Sequence, residues 1–254
     1  RDYLDSHFKD PLLQAILAAQ WPDFGTPPDE SAFGVHVTVA NDFLAGGYYP
    51  IGGSQKIADC AIEQIEKAGG QCLASHGVDE ILVRNNRAIG VRVVRKGKPI
   101  EFFAKRIVSG CGVQTTFRKL VPDDVAKVER KRLATIANGT SAIIAFLGLN
   151  QDPRDFGFTD TNYWMYDRLD HRFSEPTEAN PCPIDGGFLA FGSIRNPGKT
   201  KHTAQLITFS RNHEWADFQH SQWKKRGSEY ESLKDQRLNE LIDYVAKKFP
   251  RLRE

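Results

Sequence analysis

The sequence predicts a mixed α/β chain, α+β in the succession of its parts, in which a partial βαβ-meander unit leads into an antiparallel sheet with flanking helices. Three observations predict it. Between residues 46 and 110 a glycine-rich loop, an amphipathic helix and five β-rich runs follow in turn. From residue 139, four runs rich in β-branched and aromatic residues are separated by loops bearing Pro and Gly. The last segment, 228–249, returns to helix, with Tyr230, Leu233, Leu241, Ile242, Val245 and Phe249 near one face.

Each element has a local reason. Residues 10–20 read as a helix with Asp10 as N-cap and Pro11 at the first helical position. Pro22, Gly25, Pro27 and Pro28 then enforce a loop, and alternating Val35, Val37 and Val39 suggest a short strand or extended arm over 33–40. The loop at 46–53 feeds a helix with Ser54 as N-cap and Ile57, Ala58, Ala61, Ile62 and Ile65 on one face, closed by Gly69-Gly70. Strands are expected at 71–75 and 78–84, then a turn at Asn85-Asn86, a partner strand at 88–95, and a turn at 96–98. Further strands are expected at 100–104 and 106–109. Residues 113–137 look helical, with a break at Pro122-Asp123-Asp124. The four later strand-like runs are 140–149, 161–166, 187–194 and 203–210.

Composition narrows the function. The 254 residues suffice for one large domain or two modest ones, with 40% apolar and 26% charged residues, as in ordinary globular proteins. The net charge of +2, with Lys and Arg scattered, argues against a nucleic-acid surface. The longest apolar run, near Ala142–Leu149, is far short of the roughly 20 residues that span a bilayer, and no signal-peptide pattern opens the chain. Cys60, Cys72, Cys111 and Cys182 are too few and too scattered for a disulfide scaffold or zinc site, so they read as free thiols in a reducing compartment. A chain that starts at Arg1 and has Met165 as its only methionine reads as an excised or processed piece.

Several chemistries lack their motif. There is no G-x-G-x-x-G after a strand, no Walker loop and no G-x-S-x-G elbow. Tyr48, Tyr49 and Pro50 fill the centre of the 46–53 glycine loop, which is therefore no phosphate fingerprint. His213 and His220 stand seven apart, His171 and His202 stand alone, and no metal set follows. Asp123-Asp124 and Asp79-Glu80 sit where a helix start and a strand surface would put them.

What remains is an ordered series: Tyr49-Pro50-Ile51-Gly52-Gly53, Gly69-Gly70, Val78-Asp79-Glu80-Ile81-Leu82-Val83, Gly90-Val91 and Ile107-Val108-Ser109. It resembles the middle of the flavoprotein group that holds phytoene desaturases, carotenoid isomerases and monoamine oxidases. Tyr48-Tyr49-Pro50-Ile51-Gly52-Gly53 and the segment Thr115–Pro122 draw it toward the carotenoid isomerase and all-trans-retinol 13,14-reductase (retinol saturase) branch. Leu17–Trp21 upstream and Tyr230–Lys234 with Phe249-Pro250 downstream agree.

The resemblance implies an interior fragment: 1–45 as lead-in helix and arm of the substrate domain, 46–119 as part of a split FAD domain, and 120–254 as the substrate-binding domain. It implies FAD in the parent protein, with none bound to this chain alone. Val78 would read the adenine edge through its backbone, Ser109 and Gly110 would re-enter the cofactor domain, and Gly52 and Gly53 would lie near flavin and substrate. Each of these residues also has a plain structural reading as strand or turn. Tyr48, Tyr49, Trp164 and Phe188 would face an apolar isoprenoid molecule, although strand aromatics are more often core, and Phe188 and Phe191 cannot share one face without a bulge. The implied activity is redox or isomerisation chemistry on conjugated double bonds, the cofactor carrying it, so no side chain is assigned a catalytic role. A non-catalytic module binding an apolar ligand or partner is the alternative. The expected location is cytoplasmic, or peripheral to a membrane that faces a reducing compartment, and not secreted.

Overall fold

Local chemistry sets most element ends in the computed structural model, which describes residues 1–136, 139–174, 176–178, 183–196, 198–222 and 224–253, with backbone alone at 212 and 213. Helix α1 (Asp2–His7) precedes α2 (Pro11–Ala18), where the Asp10 carboxylate accepts from the Leu12 N–H at 2.8 Å and Pro11 needs no donor. A 3₁₀ turn at Trp21–Asp23 follows. Residues 33–40 correct the expected arm: they lie in α3 (Phe33–Leu44). The alternating valines carry only weak β preference, and no strand pairs with them among the described residues. Tethers hold the helical alternative, since the His36 ring bonds the Leu17 carbonyl at 2.8 Å.

Helix α4 (Gln55–Lys67) forms as its apolar stripe predicts, and Gly69 at φ +80° ends it, the Gly70 N–H reaching back to the Ile65 carbonyl at 2.9 Å. The stripe is exposed, with Ile57 and Ile65 open to solvent. Strands β1 (Val78–Arg84), β2 (Arg87–Arg95) and β3 (Lys98–Phe103) then form a meander. Its two turns place Asn85-Asn86 and Lys96-Gly97 at positive φ, the requirement of a type I′ hairpin. The strands expected at 71–75 and 106–109 are not formed. A strand needs a neighbour to take its hydrogen bonds, and neither run has one among the described residues.

Helix α5 (Val113–Thr115) runs on as a π-helical turn to Leu120, and α6 (Lys127–Leu133) starts beyond the predicted proline break. Strands β4 (Ser141–Leu149), β5 (Tyr163–Tyr166), β6 (Gly186–Ala190) and β7 (His202–Ser210) follow, and α7 (Ser228–Lys248) is the long helix read from the sequence. Cys60, Cys72 and Cys111 are exposed free thiols, while Cys182 lies outside the described residues.

The chain divides into two compact units, Arg1–Ala58 with Gly139–Glu254, and Asp59–Asn138. In the second unit the antiparallel order is β1-β2-β3. Ile81, Leu82 and Val93 are buried, and Arg92 is flanked in register by Glu80 and Glu101, with Nη2 2.9 Å from the Glu101 carboxylate. The Arg130 guanidinium donates to the Phe117 carbonyl at 2.6 Å and the Val121 carbonyl at 3.1 Å, which ties α6 to the π turn.

In the first unit the antiparallel order is β4-β7-β6-β5. One face carries Ala145, Leu206 and Leu189 against Leu241 and Val245 of α7, and Phe191 completes this core with no exposed surface. The other face carries an apolar row across all four strands, Trp164–Phe188–Ile207–Ile144, each residue the register partner of the next. Phe188 and Phe191 thus separate as the alternation requires.

Helix α7 is also held by charge. Arg237, its side chain 3% exposed, stands 3.3 Å from the equally buried Glu214 carboxylate and pairs with Glu240. Removing one partner of such a pair strands the other charge out of water. Arg237→Ala is expected to lower the stability of this unit by roughly 3 kcal/mol, read as an earlier midpoint in urea unfolding followed by tryptophan fluorescence; all four tryptophans fall in this unit.

Candidate functional site

The sheet face turned away from α7 opens on a cavity of about 240 Å³. Its strand wall is made of alternate, half-buried or exposed positions, among them Trp164, Tyr166, Ile207 and Phe209. Opposite them sits the segment that follows α2. Trp21, buried, stacks on Phe209 with ring centroids 4.5 Å apart and meets Phe173 edge-on at 6.2 Å. Gly186 borders the same space and admits no side chain, because a Cβ there would lie 2.8 Å from the Met165 carbonyl oxygen.

Hydrogen bonds to the end of α2 hold the wall together. The last carbonyls of a helix have no partner within it. Here the Ala15 carbonyl receives the His171 ring at 2.8 Å, the Leu17 carbonyl receives His36, and the Ala19 carbonyl accepts from the Tyr166 hydroxyl. His171 adopts φ +56°, a left-handed backbone uncommon outside glycine, and its ring stands edge-on to Tyr166 at 4.5 Å. Burial pushes the His171 imidazole below its ordinary value, assisted by the Arg1 charge and opposed by the Ala15 bond and Asp170. Burial, with the Asp23 carboxylate alongside, pushes the Tyr166 phenol well above the usual tyrosine range. Asp185, also on the wall, accepts from the Ser174 N–H at 2.7 Å and from the Ser174 hydroxyl.

The residues singled out in the sequence fall in several places. Trp164 lines the cavity, and Phe188 packs against it with centroids 4.7 Å apart. Tyr49 lies instead beneath the Arg195 guanidinium, 5.3 Å from its ring centre, and Tyr48 is 90% exposed. Gly52 and Gly53, at φ +94° and +89°, form the turn before α4, and their N–H groups are taken by Asn196 Oδ1 at 2.8 Å and the Pro50 carbonyl at 3.0 Å. In the other unit Val78 is half-buried opposite Val93 at the start of β1, the Ser109 hydroxyl bonds Thr116 Oγ1 at 2.7 Å, and Gly110 is exposed. Trp21 and His171 were not singled out as ligand-contacting positions.

A Cβ built at Gly110 meets nothing within 4 Å, and one at Gly52 meets only the Lys56 side chain. No group of three or more His, Cys, Asp or Glu side chains gathers for a metal among the described residues, and no described helix is long and apolar enough to cross a membrane.

No family model matches the chain. Over most of its length, however, the chain is similar to curated proteins named all-trans-retinol 13,14-reductases and prolycopene isomerases. The all-trans-retinol 13,14-reductase of Danio rerio is 30% identical over 259 residues, covering 95% of this chain and 42% of that protein. The Homo sapiens protein of the same name is 30% identical over 254 residues, 94% of this chain and 42% of its own length. Prolycopene isomerase 2, chloroplastic, of an Oncidium hybrid cultivar is 25% identical over 262 residues, covering all of this chain and 41% of its own. The chain thus spans about two fifths of the length of the curated relatives it matches.

The cavity histidine makes a pH prediction. Its folded-state value lies below the unfolded one, so the unfolded chain takes the proton first as pH falls, and stability present above about pH 6.5 is lost on acidification. Urea midpoints followed by tryptophan fluorescence are expected to fall between about pH 7 and pH 5, and His171→Gln, which keeps a donor for the Ala15 carbonyl, is expected to flatten that fall.

Proposed function

We propose that the chain is the substrate-binding part of a FAD-dependent oxidoreductase acting on the conjugated double bonds of a retinoid- or carotenoid-like lipid. The observation that carries this reading is the aromatic-walled cavity of the first unit, in a chain whose relatives are named for retinol reduction and prolycopene isomerisation. Trp164 and Phe188 offer flat apolar surface to a polyene, with Tyr48 and Tyr49 on the loop ahead of α4 as further contacts. Val78, Ser109 and Gly110 belong to the cofactor-facing segment, 46–119, with Gly52 and Gly53, and the substrate domain takes up 120–254. The redox chemistry rests with the flavin, which is held chiefly by chain outside these residues. The side chains described here bind, orient and exclude water. A lipid substrate also favours a peripheral membrane contact, for which exposed Leu12, Ile16 and Leu44 of α2 and α3 are suited.

Two measurements test this. The purified 254-residue chain, incubated with FAD and desalted, is expected to show no flavin absorbance near about 450 nm, because the phosphate-binding turn is missing from its sequence. Stoichiometric retained flavin would mean that these residues suffice for the cofactor. Titration with all-trans-retinol is expected to quench tryptophan fluorescence saturably, and Trp164→Ala is expected to weaken binding roughly fivefold through lost aromatic contact. Quenching that never saturates would remove the cavity as the substrate pocket.

A further inference from the structure

Two adjacent side chains of the first unit grip the glycine-rich segment 46–53. Asn196 Oδ1 accepts from the Gly52 N–H at 2.8 Å, while Asn196 Nδ2 donates to the Gly192 carbonyl at 3.0 Å. The Arg195 guanidinium lies over the Tyr49 ring, 5.3 Å from its centre. It donates in turn to the Asp160 carbonyl at 2.9 Å and to the Asn162 side chain. Both residues belong to the turn that follows β6. There the Ile194 N–H bonds the Phe191 carbonyl and the Asn196 N–H bonds the Ser193 carbonyl, each at 3.2 Å. The seat is therefore fixed from several sides.

The segment seated on it is built to swing. Gly46 at φ +96° stands at one end, and Gly52 and Gly53 at +94° and +89° stand at the other. Glycine takes these angles without the steric cost that a side chain brings. The segment's other hydrogen bonds among the described residues are local and can move with it. The Tyr48 hydroxyl donates to the Ala45 carbonyl at 3.2 Å, and the Gly46 and Gly53 N–H groups reach the Phe43 and Pro50 carbonyls at 3.0 Å. Burial adds little, since Tyr48 is exposed and Ile51 is 77% exposed.

We infer that residues 46–53 form a strap, hinged at Gly46 and at Gly52-Gly53, which Asn196 and Arg195 latch onto the first unit and which opens without that unit unfolding. The latch is one neutral hydrogen bond and one part-exposed cation–π contact, each weak alone, so the open form is populated on the order of a few per cent. Opening frees the Gly52 N–H and the Tyr49 ring together. The latch stands on the turn after β6, the strand that carries Phe188, so it ties the glycine loop to the sheet that forms the cavity wall. The strap is independent of whether the loop meets a flavin or a lipid.

Chymotrypsin tests this on the 254-residue chain, with cleavage between Tyr48 and Tyr49 followed by mass spectrometry. Protease is kept low enough that the rate follows the open population. Opening a strap exposes little new surface, so this cleavage is expected to be almost independent of urea below the unfolding transition. Cleavage that rises with urea as steeply as global unfolding would overturn the inference, and this arm needs no variant. Asn196→Ala removes the acceptor for Gly52 and is expected to speed the cleavage roughly fivefold. Arg195→Met loses the contact with Tyr49 and is expected to speed it about threefold. Both effects are read at urea concentrations where the variant is still folded by tryptophan fluorescence. Unchanged cleavage in both folded variants would equally overturn the inference, because the segment would then be held by something other than this pair.

Discussion

The C-terminal end of α2 is the constraint on which the first unit's cavity depends. A helix of eight residues has its last carbonyls unpartnered, and burying them without donors is costly. Three side chains from elsewhere solve this, His171 and Tyr166 from the sheet side and His36 from α3. Because these donors sit on the element opposite, satisfying the helix end also fixes Trp21 against Phe209 and sets the spacing of the cavity walls. The left-handed backbone at His171 fits this account, since the ring must meet a carbonyl that the helix places.

The four-stranded sheet divides its work by face. Toward α7 it presents small and branched residues that interdigitate with Leu241 and Val245, and the buried Arg237–Glu214 pair anchors that helix. Toward the cavity it presents the cross-strand row of large apolar residues Trp164, Phe188, Ile207 and Ile144. A one-residue slip of β6 would exchange the two sets, and a side chain at Gly186 is barred because the Met165 backbone leaves no room for a Cβ.

Much of this was legible in the sequence where local chemistry decides. Asp10-Pro11, Asn85-Asn86, Lys96-Gly97 and Gly69 place their elements through dihedral and capping requirements that need no distant partner. The four later strands and α7 followed from periodicity. Residues 33–40 were not legible, because alternating valines cannot report whether a neighbouring strand exists. The runs at 71–75 and 106–109 fail for the same reason. Within the site, Trp164 and Phe188 were readable only as strand aromatics, and their pairing across β5 and β6 is set by a register that the sequence does not print. His171 carried no signal at all: a lone histidine shows neither its partner nor its burial. Trp21 stood only in a motif fragment, its role set by a stack on Phe209 far along the chain.

That long reach bears on how the molecule assembles. The donors to Ala19 and Ala15 lie 147 and 156 residues further along the chain. Helix α2 leaves the ribosome long before either exists, and the whole 59–138 unit is made in between. Closing so long a loop adds only about 0.6 kcal/mol per doubling of length, so the final stability suffers little. The rate suffers more, since contacts so distant in sequence form late. The amino-terminal helices are therefore expected to wait with their apolar sides open until the sheet is complete, and the cavity is the last part of the first unit to acquire its walls.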